Sequence, residues 1–253
     1  MKILKTLFIL GGIILSLSSC DNGTVVETPV LLSDSDAQDI VAEALTTDNG
    51  GITLDITELN SDIDGILDLT APLPSGSFAA GLSDFCGETI ERTKSGSFSG
   101  PNVSWSYSKE WSKTLVCDEN DTPEYFDVTW DASREFENQR VSSSSVVDGD
   151  WTVHLSREGG FIQKTFNGDY LKNVDRYAVQ SDRYKLKQLD VNIVDVLVRR
   201  ADGFILGGTL FFTMTGENQT GNTFSRSGEV VYNGDCTATI TLDNGNSRTI
   251  SIC

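Results

Sequence analysis

His154 is the only histidine among 253 residues. A histidine-centred triad, or a metal site with two imidazole ligands, is therefore impossible within one chain. His154 lies on the polar side of an alternating stretch, where a solvent-facing structural ring is expected. Carboxylates are the abundant reactive groups. Two of them facing each other about 5–9 Å apart across a cleft would suit glycoside hydrolysis. With 37 acids in the chain, some pair meets that separation by chance. Glu110, Glu135, Glu137 and Glu158 are therefore read as a solvated strand face. Dense oxygen clusters suit a hard cation. Asp118, Asn120 and Asp121 form one candidate calcium site, and Asp148-Gly149-Asp150 is a second oxygen-rich stretch. Neither has the spacing of an EF-hand loop. No phosphate-binding loop, dinucleotide fingerprint or nucleophile elbow is present, and no other cofactor is implied.

Aromatic side chains offer binding rather than catalysis. Trp105, Tyr107, Trp111, Trp130 and Trp151 sit in alternating stretches. They could line a cavity for an apolar ligand, present ring faces to a glycan, or fill a core.

The amino-terminal residues carry the clearest motif. Lys2 and Lys5 precede an apolar run from Leu7 to Leu17, too short to span a bilayer as a helix. Leu17-Ser18-Ser19-Cys20 follows and resembles the lipobox of bacterial lipoproteins. The resemblance implies cleavage before Cys20, diacylglycerol on its sulfur and an acylated new amino terminus. Each buried CH₂ contributes roughly 0.8 kcal/mol, so two or three chains hold where one does not. Asp21 resembles an inner-membrane retention signal in one lineage, while other lineages use acidic residues here to reach the cell surface. The membrane and leaflet stay open. Together with Ser33–Gly51 and the Gly228–Gly245 hairpin region, the lipobox resembles envelope lipoproteins of Bacteroidota-type bacteria. That family implies a location and no particular activity.

Charge narrows the partners. The formal net charge is −18, and the leader contributes only positive residues to it. Such a chain is repelled by nucleic acid and by anionic headgroups. The expected membrane contact runs through the lipid on Cys20. With that cysteine acylated, Cys86, Cys117, Cys236 and Cys253 form an even set in an exported chain, read as two disulfides. Proximity favours Cys86–Cys117 and Cys236–Cys253. A two-residue turn at Asn244-Gly245 would pair Asp243 with Asn246 and set Cys236 opposite Cys253. A three-residue loop, aligning Ile240 with Ile250 and Ala238 with Ile252, would shift the cysteines by one. No C-x-x-C spacing supports a metal instead.

These residues need positioning. Residues 1–19 read as leader, 20–32 as a tether, 33–85 as a helical and linker segment, and 86–253 as an antiparallel β domain. Ser33 with Asp36 opens a helix over residues 33–45, with Ala37, Ile40, Val41, Ala44 and Leu45 on one face, and Asn49-Gly50-Gly51 ends it. Ile52, Leu54 and Ile56 alternate as a strand would, and a second helix is expected over 57–69. Pro72, Pro74, Gly76 and Gly81 mark a linker.

From about residue 87 the period is two. Trp105, Tyr107 and Trp111 share one parity; Phe126, Val128, Trp130 and Phe136 another; Trp151, Val153 and Leu155 a third; Leu210, Phe212 and Met214 a fourth. Asp148-Gly149-Asp150, Asn167-Gly168-Asp169, Asn233-Gly234-Asp235 and Asp243-Asn244-Gly245 read as turns. Leu189–Val198 changes phase, as a bulge or a doubly buried strand would, and Gly207-Gly208 suggests a bend. The fold class is mainly β: an antiparallel meander forming a curved or barrel-like sheet, with one or two short N-terminal helices. Function is expected to be that of an envelope-anchored, non-enzymatic binding or structural module. A carboxylate-dependent glycan hydrolase and an adhesion or assembly protein are the alternatives.

Overall fold

The structure is a computed structural model. It describes residues 32–45, 51–68, 82–138, 141–158, 161–178, 184–218 and 220–252. The lipobox with Cys20, the tether up to residue 31, the 72–81 linker and Cys253 lie outside the described residues.

Helix α1 (Asp34–Leu45) begins at a reciprocal cap. The Asp36 N–H donates to Ser33 Oγ at 3.1 Å, and that hydroxyl donates to the Asp36 carboxylate at 2.6 Å. Ala37, Val41, Ala44 and Leu45 are buried. Helix α2 (Ile52–Asp68) starts five residues earlier than expected. Ile52, Leu54 and Ile56 fit a strand period locally. Ile52, Ile56, Leu59 and Ile63 make a longer helical stripe, and all four are buried. The longer pattern wins because it buries one continuous face.

Ten antiparallel strands follow in sequence order within one sheet, which curves without closing. They are β1 (Thr89–Ser99), β2 (Val103–Cys117), β3 (Pro123–Asn138), β4 (Val141–Glu158), β5 (Phe161–Ala178), β6 (Tyr184–Arg199), β7 (Ile205–Asn218), β8 (Thr223–Tyr232), β9 (Thr237–Leu242) and β10 (Ser247–Ser251). The edges are β1, which exposes Glu91, Arg92 and Lys94, and β10, which is only five residues long. Charge and shortness both discourage edge-to-edge pairing.

The expected alternation holds. Phe126, Val128, Trp130, Trp151, Val153, Leu210, Phe212 and Met214 are buried. Asp127, Asp131, Asp148 and Asp150 point outward and are exposed. The apolar face of the sheet and the two helices share a single core.

Two of the four expected turns are instead interior to strands. Asp148-Gly149-Asp150 lies within β4 and Asn167-Gly168-Asp169 within β5. A Cβ on Gly149 would stand 2.1 Å from the Trp130 indole nitrogen. Gly168 has φ +138 at a register shift, and a Cβ there would meet Asp150 O at 2.1 Å. Close packing selects these glycines, not chain reversal. The phase change in β6 is a bulge. Its register against β7 shifts between Val194 and Leu197, around Asp195 at φ 50. Ile193 and Val196 are therefore both buried despite opposite parity. Gly208 completes the bulge, with a Cβ position only 2.4 Å from Val196 Cα.

The Cys86–Cys117 disulfide ties the start of β1 to the end of β2, with an S–S distance of 2.07 Å. The C-terminal hairpin departs from both expected registers. Leu242 N–H donates to Asn246 O at 2.9 Å, and Gly245 N–H donates to Leu242 O at 2.8 Å. The loop therefore has three residues, with Gly245 at φ +87. Ile240 pairs with Arg248 and Ala238 with Ile250. Asn244 decides this register: its side-chain oxygen accepts the Asn246 N–H at 3.1 Å and its amide donates to Asp34. Ile252 N–H donates to Cys236 O, so Ile252 stands opposite Cys236. Cys236 is disulfide-bonded, and its partner lies outside the described residues.

Candidate functional site

The inner face of β2 is not uniformly apolar. Lys109 and Lys113 share the parity of Trp105, Tyr107 and Trp111, so both ammonium groups point under α2. Helix α2 carries matching acids along one side. Lys109 Nζ lies 2.9 Å from Asp55 and 3.3 Å from Glu58, and Arg134 reaches Asp55 at 3.2 Å. Lys113 pairs with Asp62 at 3.0 Å. Lys164, from β5, donates to Asn60 O at 2.7 Å, Asn60 Oδ1 at 2.9 Å and Asp64 at 2.5 Å. Arg200 also reaches Asp64, at 3.0 Å. A layer of buried ion pairs thus fixes the rotation and depth of α2. Burial pushes the Asp55 carboxyl upward, against the pull of Lys109 and Arg134. Glu58 is partly buried, yet Lys94 and Lys109 hold it below the ordinary carboxylate range.

Beside this layer, a cavity of about 580 Å³ opens between α1, α2 and strands β2 to β6. The registers explain the space. One row across β3, β4 and β5 reads Trp130, Gly149, Tyr170, and the next reads Ala132, Val147, Lys172. Beyond it come Arg134, Ser145 and Val174. Side-chain volume falls abruptly above the aromatic row. Trp105, Tyr107 and Phe136 wall one side of the cavity, and Tyr184 and Leu186 wall the other. Lys172 lies on the wall, and burial lowers its ammonium below the ordinary lysine value.

The five candidate aromatic residues separate into two groups. Trp105 and Tyr107 line the cavity, and Trp105 is 39% exposed. Trp130 and Trp151 are core residues, packed edge-to-face with centroids 5.4 Å apart. Trp111 is half-buried against Lys109 and Lys113, each about 5.7 Å from its ring centroid. Asp55, Trp111 and Trp130 also border a void of about 10 Å³. Asp55 Oδ2, Trp111 Nε1 and Trp130 Nε1 are each buried without a protein hydrogen-bond partner. That space is near the minimum for one water, and such a water needs two to four polar partners.

The calcium candidates Asp118, Asn120 and Asp121 lie in the turn between β2 and β3. Asp118 Oδ1 accepts the backbone N–H groups of Asn120 and Thr122, each at 2.8 Å, which closes its own loop. Those bonds hold its carboxyl below the ordinary range. Among the described residues, no cluster of three or more His, Cys, Asp or Glu could hold a metal. His154 is exposed and packs on Tyr125 with ring centroids 5.3 Å apart. Glu43, Glu58 and Glu135 are the carboxylates that line the large cavity. Glu58 is committed to two lysines, and Asp55, the carboxyl raised by burial, has no exposed surface.

Lys109, Lys113, Arg134, Lys164 and Lys172 escaped the reading of the sequence. Their signal was present as charges on the apolar parity of β2, β3 and β5, facing acids at Asp55, Glu58 and Asp62 in a helical spacing. Compared with known proteins, the chain matches no family model, no curated protein and no solved structure.

Proposed function

We propose that the chain is a lipid-anchored binding module of the bacterial cell envelope, non-enzymatic, whose concave cavity takes an apolar or amphiphilic ligand. The cavity carries this reading. Its volume of about 580 Å³ falls in the range of small-molecule pockets. Large apolar side chains such as Trp105, Phe136 and Leu186 share its walls with serines and with charged groups of both signs, and polar groups of this kind orient a ligand in such pockets. A void of this size sealed dry inside a core would cost on the order of 14 kcal/mol, as much as a whole domain's stability. A cavity open to water and to ligand avoids that cost. The anchor rests on the Leu17-Ser18-Ser19-Cys20 motif, which resembles a lipobox.

Mass spectrometry of protein extracted from membranes under native conditions tests both halves. Acyl mass on Cys20 and a co-purifying small molecule are expected. A Cys20→Ala chain that still pellets with vesicles would remove the anchor. A purified chain that takes up no apolar probe would remove the binding role.

One observation favours a second reading. Phe98, Trp105 and Tyr107 form a ladder with centroids 6.5 and 6.0 Å apart and ring planes within 24°. Phe98 is 50% exposed. Such a ladder suits stacking on a glycan. Glycan-array binding abolished by Phe98→Ala would support it, and an array without signal would end it.

A further inference from the structure

We propose that the cavity's ligand is a single-chain amphiphilic monoanion, a medium- to long-chain carboxylate, whose headgroup is held by Lys172 and whose tail lies along the aromatic and aliphatic walls. This rests on the reading of the cavity as a binding site and adds the chemistry of what it holds.

Charge bookkeeping leads to the headgroup. Three cations face the cavity: Lys109, Arg134 and Lys172. Lys109 is bound by Asp55 and Glu58, and Arg134 by Asp55. Lys172 is within ion-pair or hydrogen-bond distance of no described residue, and Asp55 and Glu43 act on its charge only from farther off. It sits mid-strand in β5, between Val147 of β4 and Leu189 of β6, so its stem is flanked by apolar neighbours. A cation on a largely apolar wall is costly unless an anion reaches it. A bound carboxylate supplies that partner. Burial, which lowers the Lys172 ammonium, expresses the same demand.

The surroundings limit the charge the ligand can carry. Glu43, Glu58 and Glu135 line the same cavity, and the whole chain is strongly acidic. A dianionic phosphate or a polyanion would meet net repulsion once past the single lysine. A monoanion is neutralised by Lys172 alone. The tail follows from the remaining wall, where Trp105, Phe136, Val174, Tyr184 and Leu186 offer no hydrogen bond along most of their surface.

Titration calorimetry of the purified full chain with three probes of equal tail length tests this. Dodecanoate, dodecanol and dodecyltrimethylammonium differ only in the headgroup. Dodecanoate is expected to bind at least about ten-fold more tightly than dodecanol, and the cation more weakly than either. Lys172→Met is expected to weaken dodecanoate about ten- to hundred-fold and to leave dodecanol unchanged. Retained dodecanol binding shows that the variant is folded. If the three probes bind alike and Lys172→Met changes nothing, the headgroup assignment is overturned while the apolar site stands. If none binds, the reading of the cavity as a ligand site falls as well. A crystal structure with polypeptide filling the cavity would also overturn the proposal.

Discussion

Replacing Asp62 with asparagine removes the one counter-charge that pairs with Lys113 among the described residues and preserves the side chain's shape. Lys113 Nζ lies 3.0 Å from Asp62 Oδ2, with 1% of the lysine side chain and 36% of the aspartate exposed. An exposed pair would lose less than about 1 kcal/mol, whereas stranding a fully buried charge costs about 3–5 kcal/mol. The lysine is on the buried side of that contrast and the acid on the wet side. Lys113 also has an escape, because it can shed its proton. From an unperturbed lysine at pH 7 that costs about 4.6 kcal/mol, and less here because burial already lowers its pKa. The expected loss is therefore about 2–4 kcal/mol, or a Tm lower by roughly 4–16 °C for a domain of this size. Urea unfolding followed by tryptophan fluorescence measures it. The sign with pH is fixed. In the variant the folded chain gives up the Lys113 proton before the unfolded chain does. The deficit must therefore shrink as pH rises through the lowered folded value towards 10.5. Asp62→Asn combined with Lys113→Met should recover most of the loss, because no buried charge is left without a partner. A single variant within about 0.5 kcal/mol of the parent at pH 7 would refute the reasoning: Lys113 would then be hydrated, and α2 would not sit on the sheet as described.

Gly149→Ala puts a methyl where the Trp130 indole nitrogen lies 2.1 Å away; a loss of about 1–3 kcal/mol in urea unfolding is expected, and a neutral result would show that the ring does not cover this glycine. Ala132→Leu adds methylenes towards the cavity; stability should hold or rise by up to about 2 kcal/mol while binding of apolar probes is lost, and a strongly destabilised variant would mean the space is not there. The Asp34 carboxyl is held low by Asn244, then Arg226 and Asn246. Its contribution is thus present above the ordinary aspartate value and is lost as pH falls through the folded one. Tm measured from pH 5 to pH 2 should fall less steeply in Asp34→Asn than in the parent, and parallel curves would count against that contact.

The strands were legible because their signal is local. Phe126, Val128 and Trp130 alternate with Asp127 and Thr129 whatever lies across the sheet. The same holds for the Ser33–Asp36 cap and for the phase change after Ile193, which fitted a bulge or a doubly buried strand and is a bulge in the structure. The glycines at 149 and 168 were misread because a glycine under an indole and a glycine in a turn look alike over three residues. The deciding partner, Trp130, is 19 positions away from Gly149. Lys109 and Lys113 were passed over for a similar reason. A lysine in a strand normally faces water, and these two point inward only because α2 brings acids from about fifty residues earlier. The cavity had no local signature, since Ala132 and Ser145 are unremarkable until the register places them above Trp130 and Tyr170.

That register also explains how one sheet can be both well packed and hollow. Where the rows carry Trp130, Trp151, Tyr170 and Phe166, rings meet edge-to-face or tilted and fill the curve. Where the rows carry Ala132, Ser143 and Ser145, small side chains stand beside Arg134 and Phe136, which wall the gap rather than fill it. A helix held by apolar contact alone would gain by sliding into such a gap. Helix α2 is instead pinned by Asp55, Asp62 and Asp64 on cations of β2, β3 and β5. Any slide would strand those charges in the core, at several kcal/mol each. The ion-pair layer is thus a device for keeping α2 out of the cavity as much as for holding it on the sheet. Buried charge contributes little net stability compared with apolar packing of the same volume, but it fixes position, and a fixed opening is what a ligand site requires.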